Sequence, residues 1–251
     1  MIADFHAYEK ALCLTGLAPL LDKHGFDPAG KSVLDVGCGY GGVLAGLKEK
    51  YALGRAMGID LDAEMIRIGR EKCGPGIALE RRDFFGLPED RFDLILLRDV
   101  LEHIVDAQGA LRQAAMLLKP GGLIFASFAP FHSPFGGHQH NGSGFSAHLP
   151  WLQLLPEPWF RRALKLRGNS YKSRDGLTAD METVLRTRLT MRGFRAMVPA
   201  AGLRIDYLAR YLSRPDYRIK FGLPAVGFPA IPILEEFFAS GVEALLRGSE
   251  A

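Results

Sequence analysis

Apolar and polar positions along the first half of the chain switch repeatedly between a helical period and short continuous apolar runs. Tyr8, Leu12, Leu14, Leu17 and Leu21 form one broad face, which predicts a helix over 5–24 that stops at Gly25. After the turn Asp27-Pro28-Ala29-Gly30, the run Ser32-Val33-Leu34-Asp35-Val36 predicts a buried strand, followed by a helix over Val43–Lys50. A second strand ends at Met57-Gly58-Ile59-Asp60, and a helix over Ala63–Lys72 follows, with Asp62 as its N-cap. Ile77–Arg82 and Phe92–Leu97 read as the next two strands, residues 107–118 as a helix, and Lys119-Pro120-Gly121-Gly122 as a turn into Leu123–Ser127. Strands alternating with helices predict a mainly parallel sheet covered on both faces, with functional loops at the carboxyl ends of its strands.

The pattern changes after Phe128. Residues 129–150 are rich in His, Gly, Ser and Pro and read as a long loop, and 151–174 are aromatic, apolar and basic, as in a helical lid. A helix over 178–200 is predicted next, then strands Leu203–Leu212 and Tyr217–Phe221 as an antiparallel edge hairpin, and a final helix over 230–247. The expected fold is thus α/β, Rossmann-like and doubly wound, with a seven-stranded sheet. It is one domain over 1–251, its core at 25–128 and 176–251 and an insertion at 129–175.

Composition narrows this little. A net charge of +3 on 251 residues is too small to argue for nucleic acid. Cys13, Cys38 and Cys73 form neither a metal spacing nor a disulfide framework, so a reducing cytoplasm is expected. No secretory signal and no spanning segment is read from the sequence.

The chemistry starts at Gly37-Cys38-Gly39-Tyr40-Gly41, a glycine loop between a strand and a helix. Glycines permit a tight turn there and let backbone approach a ligand. Such a loop also suits a nicotinamide dinucleotide, and Asp60 at the next strand end would accept ribose hydroxyls in either case. Asp35, two residues before Gly37, tips the balance. A carboxylate there repels a pyrophosphate but favours a sulfonium ligand with an amino-acid tail. Asp83, ending the third strand beside Phe84, suits an adenine.

These residues together resemble the class I S-adenosylmethionine-dependent methyltransferases over roughly 30–128. Val33 to Gly41 resembles the family's first motif, Gly58-Ile59-Asp60 its ribose-binding acid, and Arg82-Asp83-Phe84 its adenine-side motif. Phe92 to Ile95, continuing through Val100-Leu101-Glu102-His103-Ile104, is similar to its fourth strand and following turn. Leu118 to Gly122 resembles the turn into its fifth strand. The resemblance implies S-adenosyl-L-methionine as cofactor and methyl transfer as the reaction. By position it puts Asp35, Gly37, Gly39 and Gly41 at the methionine end, Asp60 and Leu61 at the ribose, Asp83 and Phe84 at adenine, and Arg98 facing cofactor or acceptor.

The acceptor side is read from the residues alone. His132, His138, His140 and His148 follow the fifth strand at the expected mouth of the site, and histidine near neutral pH serves as a general base. His138 and His140, flanked by glycines, are the candidate catalytic pair. Their spacing matches no established zinc signature, so no metal is assigned. Basic residues over 159–174 suit a small anionic acceptor or peripheral membrane contact, and no nucleic acid is expected. The apolar carboxyl end leaves homodimer formation open. The expected function is methyl transfer to oxygen or nitrogen of a small-molecule acceptor. The alternatives are a nicotinamide-dependent oxidoreductase and a non-catalytic S-adenosylmethionine-binding subunit.

Overall fold

In the computed structural model, the described residues are 4–88, 90–142, 145–163 and 174–249. Eight strands form one sheet in the order β3-β2-β1-β4-β5-β8-β6-β7. They are β1 Ser32–Val36, β2 Arg55–Asp60, β3 Ala78–Arg81, β4 Phe92–Arg98, β5 Leu118–Phe128, β6 Leu203–Ser213, β7 Val226–Gly227 and β8 Gly241–Gly248. The first five pair in parallel, while β8 runs antiparallel to both β5 and β6. The two-residue β7 adds an eighth strand to the seven expected.

The parallel strands lack polar alternation because both faces are covered. Leu34, Val36, Ile95, Leu97, Ile124 and Ala126 pack on one side with helices α5 (Ala107–Leu117) and α8 (Met191–Ala200). Their neighbours Val33, Leu94, Leu96, Leu123 and Phe125 pack on the other, against α2 (Ala18–Lys23) and α3 (Gly42–Lys50). Each leucine buried this way contributes about 2 kcal/mol.

The first predicted helix is divided into α1 (Phe5–Leu12), a π-helical turn Cys13–Leu17, and α2. Helix α1 lies directly on α3, and glycine makes this possible. A Cβ on Gly42 would stand 2.2 Å from the carbonyl oxygen of His6. As expected, Asp62 caps α4 (Ala63–Cys73), accepting from the amides of Glu64 and Met65.

The second half departs from the expectations in three places. The helix predicted over 178–200 is two, α7 (Arg174–Thr187) and α8, because the Thr190 side chain takes the Gly193 amide and starts a new helix. The antiparallel edge pair is present, but β6 makes it with the short β7. The residues expected as its second strand, Tyr217–Phe221, lie in α9 (Asp216–Phe221), and β6 pairs with β8 on its other side. The final helix expected over 230–247 is only the short α10 (Leu234–Phe238), and the rest is β8, inserted between β5 and β6. Of the expected lid, α6 (Glu157–Ala163) is helical, and residues 164–173, with half of the basic run, lie outside the described residues. No helix among the described residues is long and apolar enough to cross a membrane.

Candidate active site

The strand order reverses between β1 and β4, and in doubly wound sheets ligands bind in the crevice outside the carboxyl ends at that point. The glycine loop leaves β1 there. Gly37, Gly39 and Gly41 take φ of 67°, 54° and 75°, a left-handed region that favours glycine. The amides of Gly37 and Cys38 both donate to the Ile59 carbonyl, at 2.8 and 3.0 Å. Asp60 ties the loop to β2: its Oδ2 accepts from the Gly39 amide and its Oδ1 from the Asp62 amide, each at 2.9 Å. Each oxygen keeps a further lone-pair direction for a hydroxyl.

A cleft of about 810 Å³ opens beside this loop, lined by Gly37, Asp60, Leu61, Asp83, Phe84, Val100 and Ile104. Asp83 caps the turn Phe84–Gly86 through the Phe85 amide, which holds the Phe84 ring in the wall. Gly37 is required by space as well as by φ, since a Cβ would lie 2.9 Å from Val100. The cleft therefore offers one carboxylate that would suit a ribose, and an acid beside an aromatic side chain that would suit an adenine.

Deeper in, a polar cavity of about 230 Å³ shares Gly37, Asp60, Met65, Asp99 and His103 with the cleft. Arg98, at the end of β4, lines it, and its Nε has no hydrogen-bond partner among the described residues. Its charged neighbours include Glu9, Asp99 and Asp35. This buried guanidinium beside acids suits the paired carboxylate and ammonium of an amino-acid tail. Together with the two acids of the outer cleft, it fits S-adenosylmethionine.

Two predicted cofactor residues line neither space. Gly41 turns the chain into α3, where Cys73 and Leu79 crowd it. Asp35 is 2% exposed, and burial raises its pKa to about 7, with Arg98 opposing the rise and Glu9 and Asp60 adding to it. Glu9 is raised to about 7 as well, mainly by burial. Raised carboxyl groups favour folding below their unfolded pKa, near 4, and lose that contribution as pH climbs through the folded value. An Asp35→Asn variant, which mimics the neutral acid, should therefore gain on the unliganded native chain between pH 4.5 and 8 in urea unfolding. Parallel stability curves would contradict the buried, raised carboxyl.

Both candidate histidines line the inner cavity. His140 is held near pKa 4 by burial and by the cations Lys220 and Arg214, so its imidazole is neutral at physiological pH. His138 is buried and takes φ 59°, left-handed and uncommon for a residue with a side chain. His132 stacks on Phe237 instead, and His148 ends a short turn, so neither joins the pair.

The structure also brings in residues with no individual sequence signal. Asp99 accepts from Arg214 Nη2 with both oxygens at 2.7 Å, and Arg214 Nε stands 3.2 Å from Asp216. Arg214 keeps the Asp99 carboxyl well below the usual range, against the opposing effect of burial. Glu9 did carry a signal, being a carboxylate on the apolar face of the first helix. Its Oε2 accepts from the Gly42 amide at 3.0 Å.

Comparison with known proteins decides between the two ligands that the loop allows. A ubiquinone biosynthesis O-methyltransferase of Chromobacterium violaceum is 36% identical over 115 residues, 43% of this chain and 47% of that protein. One from Xanthomonas axonopodis pv. citri is 35% identical over 107 residues, 40% and 44% of the two chains. The alignments thus span less than half of these relatives. An S-adenosylmethionine-dependent methyltransferase from Mesorhizobium loti shares the fold, with TM-score 0.57 at 18% identity over 91% of this chain and 96% of its own. So does the plantazolicin methyltransferase BamL, solved with a substrate analogue and S-adenosylhomocysteine, with TM-score 0.58 at 14% identity over 98% and 86%. The family model described as a methyltransferase domain matches residues 5–183, and the chain belongs to the class I S-adenosylmethionine-dependent methyltransferases.

Proposed function

We propose that the chain transfers the methyl group of S-adenosylmethionine to an oxygen of a small hydroxylated acceptor. The confluence of the nucleoside-sized cleft with the polar inner cavity carries this reading, because a donor in one would point its reactive end into the other. The cofactor supplies an already activated methyl group, so the chain needs no nucleophile of its own. Asp60 holds the ribose, Asp83 and Phe84 flank the adenine, and Arg98 takes the tail carboxylate. Gly37 and Gly39 keep the approach open, while Asp35 and Gly41 shape the loop from behind. His138 and His140 serve the acceptor. A neutral His140 accepts a hydrogen bond from a hydroxyl and orients it for in-line attack. The relatives named above, ubiquinone biosynthesis O-methyltransferases, support oxygen over nitrogen.

Parallel calorimetric titrations with S-adenosylmethionine, S-adenosylhomocysteine and the nicotinamide nucleotides test the cofactor, and tight binding of a nicotinamide nucleotide alone would sink the reading. Transfer of labelled methyl to a panel of catechols, phenols and amines tests the acceptor. His140→Ala should lower turnover about tenfold to a hundredfold, as loss of a positioning contact does, with S-adenosylmethionine affinity within about twofold of wild type. Unchanged turnover would remove His140 from the mechanism. Exposed Phe221, Leu223 and Ile233 support an apolar partner, whether a second copy of the chain or a membrane surface. Sedimentation with and without anionic vesicles separates the two.

A further inference from the structure

Glu102, His103 and His138 offer ligand atoms that all lie within 4.8 Å of one another, at the wall of the inner cavity. Two of the three come from the turn after β4, and the third from the histidine-rich loop after β5. We propose that they form a binding site for one divalent transition-metal cation, which receives hydroxyl oxygens of the methyl acceptor. This assigns a metal where the sequence spacing assigned none.

Four observations carry the assignment. First, the donor set is right: two imidazoles and one carboxylate suit zinc, manganese, iron or cobalt and leave coordination positions open. Second, the geometry is near. Nε2 of His138 stands 3.9 Å from Oε1 of Glu102, and atoms bound to one ion at about 2.1 Å can be up to about 4.2 Å apart. Side-chain adjustments of about half an ångström bring the group to bonding distance.

Third, the surroundings support ligation. The Asp180 carboxylate lies 3.4 Å from Nδ1 of His103, a negative charge that favours a cation beside that imidazole. Glu102 is 1% exposed. Its Oε1 accepts from the Ala129 amide at 3.2 Å, which anchors the side chain, and its Oε2 has no hydrogen-bond partner among the described residues. A buried carboxylate oxygen without a donor is costly and demands a partner. Fourth, the backbone is held in uncommon conformations where it feeds the cavity. His138 takes φ 59°, and Asp99, three residues before Glu102, takes φ 52°. Such strain persists only where the surroundings enforce it, and it clusters at functional sites.

The site faces the cavity that the proposed function gives to the acceptor, so the substrate class follows from it. An acceptor with one hydroxyl, or two on adjacent carbons as in a catechol, fits the open positions on such an ion. The inference rests on that reading for the cation's use, but not for its binding.

Titration with cobalt(II) chloride, without S-adenosylmethionine, tests it directly. The wild-type chain should take up one equivalent and develop visible ligand-field absorption. His138→Gln and His103→Asn should each weaken binding at least tenfold, with melting temperatures near wild type. His24→Ala, which removes a histidine packed on Tyr207 away from the cavity, should bind cobalt unchanged. If either site variant fails to fold, X-ray absorption of the wild-type cobalt complex decides, with histidine nitrogens in the shell as the expected result. No cobalt uptake at millimolar concentration would overturn the proposal, as would uptake that survives both site substitutions or a shell without histidine. A separate S-adenosylmethionine titration keeps a failure here distinct from failure of the methyltransferase reading.

Discussion

An Arg214→Met variant is expected to melt roughly 5–10 °C below wild type and to lose most methyl transfer. Arg214 is the cation between two acids, Asp99 on the end of β4 and Asp216 at the start of α9. Its side chain is 16% exposed and that of Asp99 is 31% exposed. Removing one partner of a buried pair costs about 3–5 kcal/mol, because the other charge stays behind unpaired. The partial exposure of Asp99 reduces this to about 2–3 kcal/mol. For a chain of this size each kcal/mol moves the melting temperature by about 2–4 °C. Activity falls for a separate reason. Asp99 lines both the cofactor cleft and the inner cavity, and without Arg214 its carboxylate loses its two 2.7 Å bonds and keeps the longer one from Ser127 Oγ, at 3.3 Å, which fixes its orientation less. Adding Asp99→Asn should recover part of the lost stability but not the activity, so differential scanning calorimetry on the two singles and the double variant isolates the pair. A melting temperature within 2 °C of wild type would falsify the claim that Arg214 holds this corner.

Asp60→Ala should weaken S-adenosylmethionine binding by at least about a hundredfold. The carboxylate has two jobs at once. It would accept the ribose hydroxyls, and it already accepts the Gly39 and Asp62 amides that fix the loop and the start of α4. Hydrogen bonds to a charged group are worth about 1.5–3 kcal/mol each, and about 1.4 kcal/mol is tenfold in affinity. Two lost ribose contacts thus cost about 3–6 kcal/mol, before the loop relaxes. Asp60→Asn keeps one acceptor oxygen and should fall between the two. Calorimetry with S-adenosylhomocysteine reads the loss without turnover, and an affinity within fivefold of wild type for Asp60→Ala would remove Asp60 from the ribose site.

The sequence told these two residues apart unequally. Asp60 was legible because a parallel strand buried on both faces reads as an unbroken apolar run, and an acid at its end stands out. The same holds for β1 and β4. Arg214 was not legible. It lies 115 residues from Asp99 in a turn, and only the folded sheet brings the two together. Strand β8 was misread because Glu243, Ala244, Leu245, Leu246 and Arg247 are all good helix formers. Pairing with β5 on one side and β6 on the other overrides that preference. The opposite error befell Tyr217–Phe221, whose aromatic and branched residues suit a strand, although Pro215 and Asp216 begin a helix there. Asp35 was read correctly as an acid before the loop, but its position on a strand with both faces packed keeps it from the cleft.

The place of β8 has a consequence for how the chain is made. As it leaves the ribosome, β5 emerges early, with its Ile124–Phe128 edge bare. That edge is mostly apolar and can recruit a foreign strand while its own partner is not yet synthesised. β6 then emerges equally unpaired, and both wait for Gly241–Gly248. The nascent chain can form the cofactor half of the sheet first, but its exposed border is sealed only once Gly241–Gly248 has emerged. Ribosome-stalled fragments ending before Gly241 should therefore depend on chaperones to stay in solution, while those extended past Gly248, with the tunnel length allowed for, should not.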